Sequence, residues 1–178
     1  MQVIRGLYNL KEEHQRSVTT IGNFDGVHLG HQAILKQVCS KAKALNVPSM
    51  LICFEPQPRE FFNNYNSPAR LTRFREKVEL LSDLGVDLVL CLKFDEKTRS
   101  MSAEQFIDVL VHNLKVSALF VGDDFKFGHD QSGGFDQLLA AGEKHHFDVT
   151  NMYTLSIEDS RVSSTKIREY LAEGFFEH

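Results

Sequence analysis

Ten consecutive residues, Gly22-Asn23-Phe24-Asp25-Gly26-Val27-His28-Leu29-Gly30-His31, hold most of the legible chemistry of the chain. They follow an apolar run, Ser17 to Ile21, and lead into Ile34, Leu35, Val38, Ala42 and Leu45, which recur at helical spacing. The glycines permit a tight turn and close approach of backbone to a ligand. A helix beginning there offers unpaired N–H groups and the positive end of its dipole, which suits phosphate. His28 and His31 are three apart, so one helical turn puts them on the same side. Imidazole N–H donors there can hold phosphate oxygens as charge develops on them. The stretch is neither a Walker loop, since GK[ST] is missing, nor GxGxxG. Zinc held by the two histidines would need a third ligand, Asp25 or Asp123, and lacks the glutamate of HExxH. A plain helix-cap pair is the other alternative, and phosphate binding is favoured over both.

Three further stretches carry chemistry. Arg161-Val162-Ser163-Ser164-Thr165-Lys166-Ile167-Arg168 joins hydroxyls suited to a helix N-cap with three cations, and arginine forks match phosphate oxygens. Gly122 to Gly128 places Asp123 and Asp124 after an apolar run, where carboxylates can hold magnesium, ribose hydroxyls or an adenine amino group. Phe54 to Phe62 contains Pro56 and Pro58 in a stiff extended segment whose phenylalanines either enter the core or wall a flat apolar pocket.

These stretches need a scaffold, and the apolar pattern supplies one. Buried strands are expected at Ser17–Ile21, Met50–Phe54, Leu88–Leu92, Ala118–Val121 and Val149–Tyr153. Helices are expected between and after them, near Ile34–Leu45, Phe74–Leu84 closed by Gly85, Phe106–Leu114 capped by Ser102 and Gln105, Leu138–His145, and Thr165–Leu171. Continuous apolar strands alternating with helices predict an open, mostly parallel α/β sheet with helices on both faces. Ligands of such sheets bind beyond the carboxyl ends of the strands, and each chemistry-bearing stretch follows a strand. The 178 residues suit a single domain, 1–178, and the net charge of −4 argues against a protein built to grip nucleic acid. No apolar run is long enough for a membrane span, and no signal core opens the chain, so a cytoplasmic place is expected. Cys39, Cys53 and Cys91 form no CxxC pair and read as reduced core thiols. Lys41, Lys43, Arg73, Arg75 and Lys77 read as solvated helix faces, and His14, His112, His129, His145, His146 and His178 as surface residues.

GNFDGVHLGH resembles the HxGH signature of the nucleotidyltransferase superfamily. In its longer form it is similar to the FMN adenylyltransferase module of bacterial bifunctional riboflavin kinase/FAD synthetases. FEPQP, VGDDFKFG and RVSSTKIR resemble that family's FxPxP, VGxDFxFG and SSTxIR stretches, so the likeness runs over nearly the whole chain. Gln131 stands where members often carry arginine or lysine. The resemblance implies a Rossmann-like nucleotidyltransferase fold and transfer of the adenylyl group of ATP, with magnesium, to FMN, giving FAD and pyrophosphate. It assigns catalysis to His28 and His31, and ATP contacts to Gly22, Asn23, Phe24, Asp25, Gly30, Asp124, Ser164, Thr165 and Arg168. Flavin contacts fall to Pro56, Pro58, Phe62, Phe127 and Gly128, with no resident metal site. Both substrates are anionic, so a locally basic cleft is expected. The riboflavin kinase domain that members carry in cis has no room here, so kinase activity is expected to be absent. Two other readings remain: a transferase for another phosphate acceptor, such as nicotinamide mononucleotide or phosphopantetheine, and a non-catalytic nucleotide or flavin sensor.

Overall fold

The computed structural model describes residues 1–63, 67–122, 124–152, 156–157 and 160–175. Six parallel strands form one sheet: β1 (Gln2–Arg5), β2 (Val18–Ile21), β3 (Ser49–Glu55), β4 (Leu88–Lys93), β5 (Ala118–Gly122) and β6 (Asp148–Met152). Between them run α1 (Leu29–Leu45), α2 (Pro58–Phe62), α3 (Phe74–Asp83), α4 (Glu96–Arg99), α5 (Ala103–Asp108) and α6 (Phe135–His145). A small antiparallel pair, β7 (Ser156–Ile157) and β8 (Ser160–Arg161), precedes α7 (Ser164–Glu173).

The period-two pattern of the strands explains the layers. Met50 and Ile52 of β3 face a cluster built with Phe106, Leu110 and Leu138, from the side of α5 and α6. Leu51 and Cys53, one residue out of phase, face Leu35, Leu81 and Phe24, from the side of α1 and α3. Both faces are covered, which is why the strands carry nearly unbroken apolar runs. The expected α/β sheet is present, and all three cysteines are buried and free. Gly85 takes φ +83° after α3, and Ser102 and Gln105 form the reciprocal cap of α5.

The strand order is β1-β4-β3-β2-β5-β6. The chain moves one way from β2 through β3 to β4 and then returns to the other side of β2 with β5. The order therefore reverses between β2 and β5, and a crevice opens at their carboxyl ends.

The structure corrects several expectations. β1 is a sixth strand with only Ile4 buried, so an edge position left too little apolar pattern to reveal it. The α5 segment continues into a π-helical turn, Val109–Asn113. Lys77 is no solvated residue: it is buried on the core side of α3. His14 is also buried, and its Nδ1 accepts the Lys11 N–H at 3.1 Å. Asp123, Tyr153 and His178 lie outside the described residues.

Candidate functional site

The turn from β2 to α1 is an unusual piece of backbone. Phe24 and Val27 take φ of +48° and +39°, and Gly26 takes +82°. A side chain at Gly26 would also meet Leu71 at 2.8 Å. His28 then caps α1, its Nδ1 accepting the His31 N–H at 3.4 Å. That bond leaves the proton of a neutral His28 on Nε2. The rings of His28 and His31 stack with centroids 3.6 Å apart, and Phe24 covers the far side of His31 at 4.5 Å. A Cβ at Gly30 would approach the His28 ring to 3.2 Å.

Burial holds both imidazoles below their ordinary range. Burial alone lowers His28. For His31, burial acts first, His28 and Lys77 reinforce it and Asp25 opposes it, for a value of about 3. Both histidines are therefore neutral N–H donors near neutral pH.

Asp25 locks this turn in place. Its carboxylate accepts the N–H groups of Leu71 and Thr72 at 3.1 and 3.0 Å, the Thr72 hydroxyl at 3.2 Å, and the Arg168 guanidinium. Burial pushes the carboxyl up, but these donors and the arginine charge outweigh it and hold it below its usual range. Arg168 also donates from Nε to the Ala69 carbonyl at 2.6 Å, and the Ser164 hydroxyl donates to the Asp25 carbonyl at 2.8 Å. Ser163 caps α7 by accepting the Lys166 N–H. Next along the chain, Arg70 bridges Glu55 at the end of β3 and Glu60 of α2, and the two carboxylates raise its pKa. The segment 69–72 thus ties β3, α2 and α7 to the turn after β2.

Two adjoining cavities open at the crevice. The first, about 360 Å³, is lined by Asn23, Asp25, His28, Gly30, His31, Asp124, Ser164, Thr165 and Arg168. Among described residues its cations, Arg59 and Arg168, match its carboxylates, Asp25 and Asp124. Among the described residues the lining at this end is therefore not basic, because Arg168 answers Asp25. The second cavity, about 590 Å³, is lined by Phe54, Pro58, Phe62, Phe94, Phe106, Phe125, Phe127 and Gly128, with Arg59, Arg99 and Lys126 against Asp124. Basic character is found here instead. Asn23, Phe24, His31, Arg59 and Asp124 line both cavities.

Nearly all residues singled out in the sequence converge on this crevice. Gly22 lines the aromatic cavity rather than the polar one. Pro56 lines neither and follows Glu55 through a cis peptide. Asp25 reaches the polar cavity, but its carboxylate is committed to the protein. Sequence reasoning missed Arg59, Arg70, Lys77, Phe94 and Arg99. For Lys77 a signal existed: it lies three residues after Phe74 and four before Leu81, on the apolar stripe of α3. Among the described residues no group of three or more His, Cys, Asp or Glu is placed to hold a metal ion.

A parallel sheet with paired cavities at its switch point, entered over a glycine turn and a helix start, defines a nucleotide-binding α/β protein. The FAD synthetase family matches residues 10–166, and the chain belongs to that family. It is 50% identical over 178 residues to the bifunctional riboflavin kinase/FMN adenylyltransferase of Pseudomonas fluorescens, covering 99% of this chain and 57% of the relative. The enzyme of the same name from Escherichia coli K12 is 46% identical, covering 97% and 56%. This chain thus spans little more than half the length of these relatives. A solved structure titled as a macrolide-efflux protein from Streptococcus pneumoniae shares the fold, with TM-score 0.85 over 98% of this chain and 59% of that one. At 22% identity it speaks for the fold alone. No described helix is long and apolar enough to cross a membrane.

Proposed function

We propose that this chain is an FMN adenylyltransferase domain that joins ATP and FMN into FAD with release of pyrophosphate. The observation that carries the reading is the shared rim. A polar cavity ending on two neutral histidines adjoins an aromatic cavity of about 590 Å³, walled by rings that suit a flat ring system, and His31 lines both. Family membership and the names of the relatives support the same substrates.

ATP would occupy the polar cavity, with Asn23, Phe24, Gly30 and Asp124 around it and Ser164 and Thr165 toward the β and γ phosphates. Arg168 commits Nε to Ala69 and a terminal nitrogen to Asp25, so its remaining N–H groups are what it offers a phosphate. The isoalloxazine would lie among Pro58, Phe62, Phe127 and Gly128. An FMN phosphate oxygen then attacks the α phosphorus of ATP, the bond from that phosphorus to the bridging oxygen breaks, and pyrophosphate leaves. No protein nucleophile is needed, because such transfers depend on positioning and charge stabilisation. His28 donates from Nε2 and His31 supports it, so neutral imidazoles meet the growing negative charge as hydrogen-bond donors. Magnesium would enter with the triphosphate as part of the substrate, because this ion is usually held by substrate phosphates and one or two carboxylates rather than by an all-protein cage. Buried free thiols fit a reducing compartment, which supports the cytoplasm.

Chromatography of products from the purified protein with ATP, magnesium and FMN tests the reading. FAD is expected, with pyrophosphate beside it. Folded protein that binds ATP yet makes no FAD would instead support another acceptor or a sensor.

A further inference from the structure

We propose that Lys77 is a positioning residue of the polar half-site: its ammonium holds the Asn23 carbonyl from the core side and so sets the turn that receives the nucleotide. The inference rests on the adenylyl-transfer reading and adds a residue to it. Lys77 is 2% exposed, on the stripe of α3 that otherwise packs Phe74 and Leu81 against the sheet. Its Nζ donates to the Asn23 carbonyl at 3.0 Å and lies 5.6 Å from the centroid of Phe74. An ammonium among apolar side chains loses its hydration, and leucine or methionine would fill the same space without that loss. The gain must lie where the ammonium makes its hydrogen bond.

That contact falls beside the strained part of the turn. Phe24, the next residue, has φ +48°, a conformation that side-chain-bearing residues rarely take. In a trans peptide the C=O and the following N–H point opposite ways. Pinning the Asn23 carbonyl toward Lys77 therefore turns the Phe24 N–H away from it, and that N–H has no backbone or side-chain acceptor among the described residues. The other holds act farther along the turn: Leu71, Thr72 and Arg168 on the Asp25 carboxylate, Ser164 on the Asp25 carbonyl, the Thr72 hydroxyl on the Gly26 N–H and Gln32 on the Val27 carbonyl. Lys77 is the hold on Asn23, and removing it frees the peptide on which the orientation of the turn depends. Its charge also contributes, after burial and His28, to keeping His31 neutral.

The test compares K77M and K77Q with the wild type. Folding is followed by thermal melting, ATP and FMN binding by calorimetry and flavin fluorescence, and turnover by FAD formation. In K77M, kcat/KM for ATP is expected to fall about 100-fold, the cost of a misplaced site, with FMN affinity within about threefold. K77Q, whose amide keeps a donor, should lose less. Undiminished ATP use in a folded variant overturns the assignment. So does a loss shared equally by ATP and FMN, or a glutamine variant as poor as the methionine one. If K77M does not fold, K77Q is read by the first two criteria alone. Wild-type protein that binds no ATP overturns the adenylyl-transfer reading itself, whereas equal ATP binding by wild type and variants overturns only the role of Lys77.

Discussion

The two cavities are built on opposite principles although they share a wall. The polar one is a cross-linked structure: Asp25, Arg168, Ser164, Lys77 and the segment 69–72 bind three separate elements to one turn. The aromatic one is walled by rings in edge contact, with Phe94 meeting Phe54, Phe61 and Phe62 at centroid distances of 5.4 to 5.8 Å. Charge developing on phosphate must meet donors already in place, since reorganising them during reaction costs rate. A flat apolar ring system is held by area, and ring edges can adjust to it at little expense. Disturbing the first end should therefore cost far more than disturbing the second.

The largest expected effect is at the histidines. His28→Ala or His31→Ala should lower the rate of FAD formation by about 10²–10³-fold, the usual cost of removing one preorganised donor. FMN affinity should change little. Loss of affinity without loss of rate would show that these rings bind substrate rather than assist the transfer.

Second is the lock. Asp25→Ala leaves Arg168 without its carboxylate partner and the N–H groups of Leu71 and Thr72 without an acceptor, at a cost of about 3 kcal/mol in folding stability. Arg168→Met should cost less, because the backbone donors still hold Asp25. Urea denaturation of both variants and of the double variant measures the coupling. Additive losses would mean that the pair is not the lock.

How far this contrast could be read beforehand follows from the same physics. The polar end was legible because its turn needs particular residue types in sequence, glycines where Cβ atoms would collide and histidines at a helix start. Its supports were not. Leu71 and Thr72 reach the turn through space from 46 and 47 residues away in sequence, Arg70 beside them bridges Glu55 and Glu60, and nothing local marks any of the three. Lys77 was hidden because its charge argues for solvent while its position on the apolar stripe argues for burial. The aromatic end was partly legible: Phe62 and Phe127 lie in recognisable stretches, whereas Phe94 and Arg99 arrive from β4 and α4. The fold was clear wherever strands are covered on both faces, and failed at β1, where one buried residue leaves no pattern.

A third prediction concerns pH. His31 titrates near 3 in the folded protein against 6.5 when unfolded. Between those values the unfolded chain holds a proton that the native state lacks, so stability falls as pH drops from 6.5, by at most about 1.4 kcal/mol per unit. Asp25, whose pKa is depressed, loses its contribution only lower, as pH falls through its folded value. Urea midpoints of wild type and His31→Phe between about pH 7 and pH 5 separate the two. The phenylalanine variant should lose most of the slope in that window, the remainder belonging to His28, whose pKa burial also lowers, and an unchanged slope would assign it to other groups.

The smallest effect belongs to the aromatic end. Phe62 is 56% exposed, with Phe61 and Phe94 against its edges and the Arg99 guanidinium 5.6 Å from its centroid. Phe62→Ala removes one wall of the cavity but leaves Phe54, Phe94 and Phe127. The loss should be about 0.5–1.5 kcal/mol of flavin affinity, roughly threefold to tenfold, because one ring among several is withdrawn. It should appear as a higher KM for FMN with kcat and ATP affinity nearly unchanged, since neither depends on the ring. Phe62→Leu, which restores apolar area without an aromatic face, should recover part of it. A fall in kcat as large as that of His31→Ala would break the comparison, because it would mean that the aromatic wall, like the polar turn, fixes the geometry of transfer rather than only the affinity for the ring.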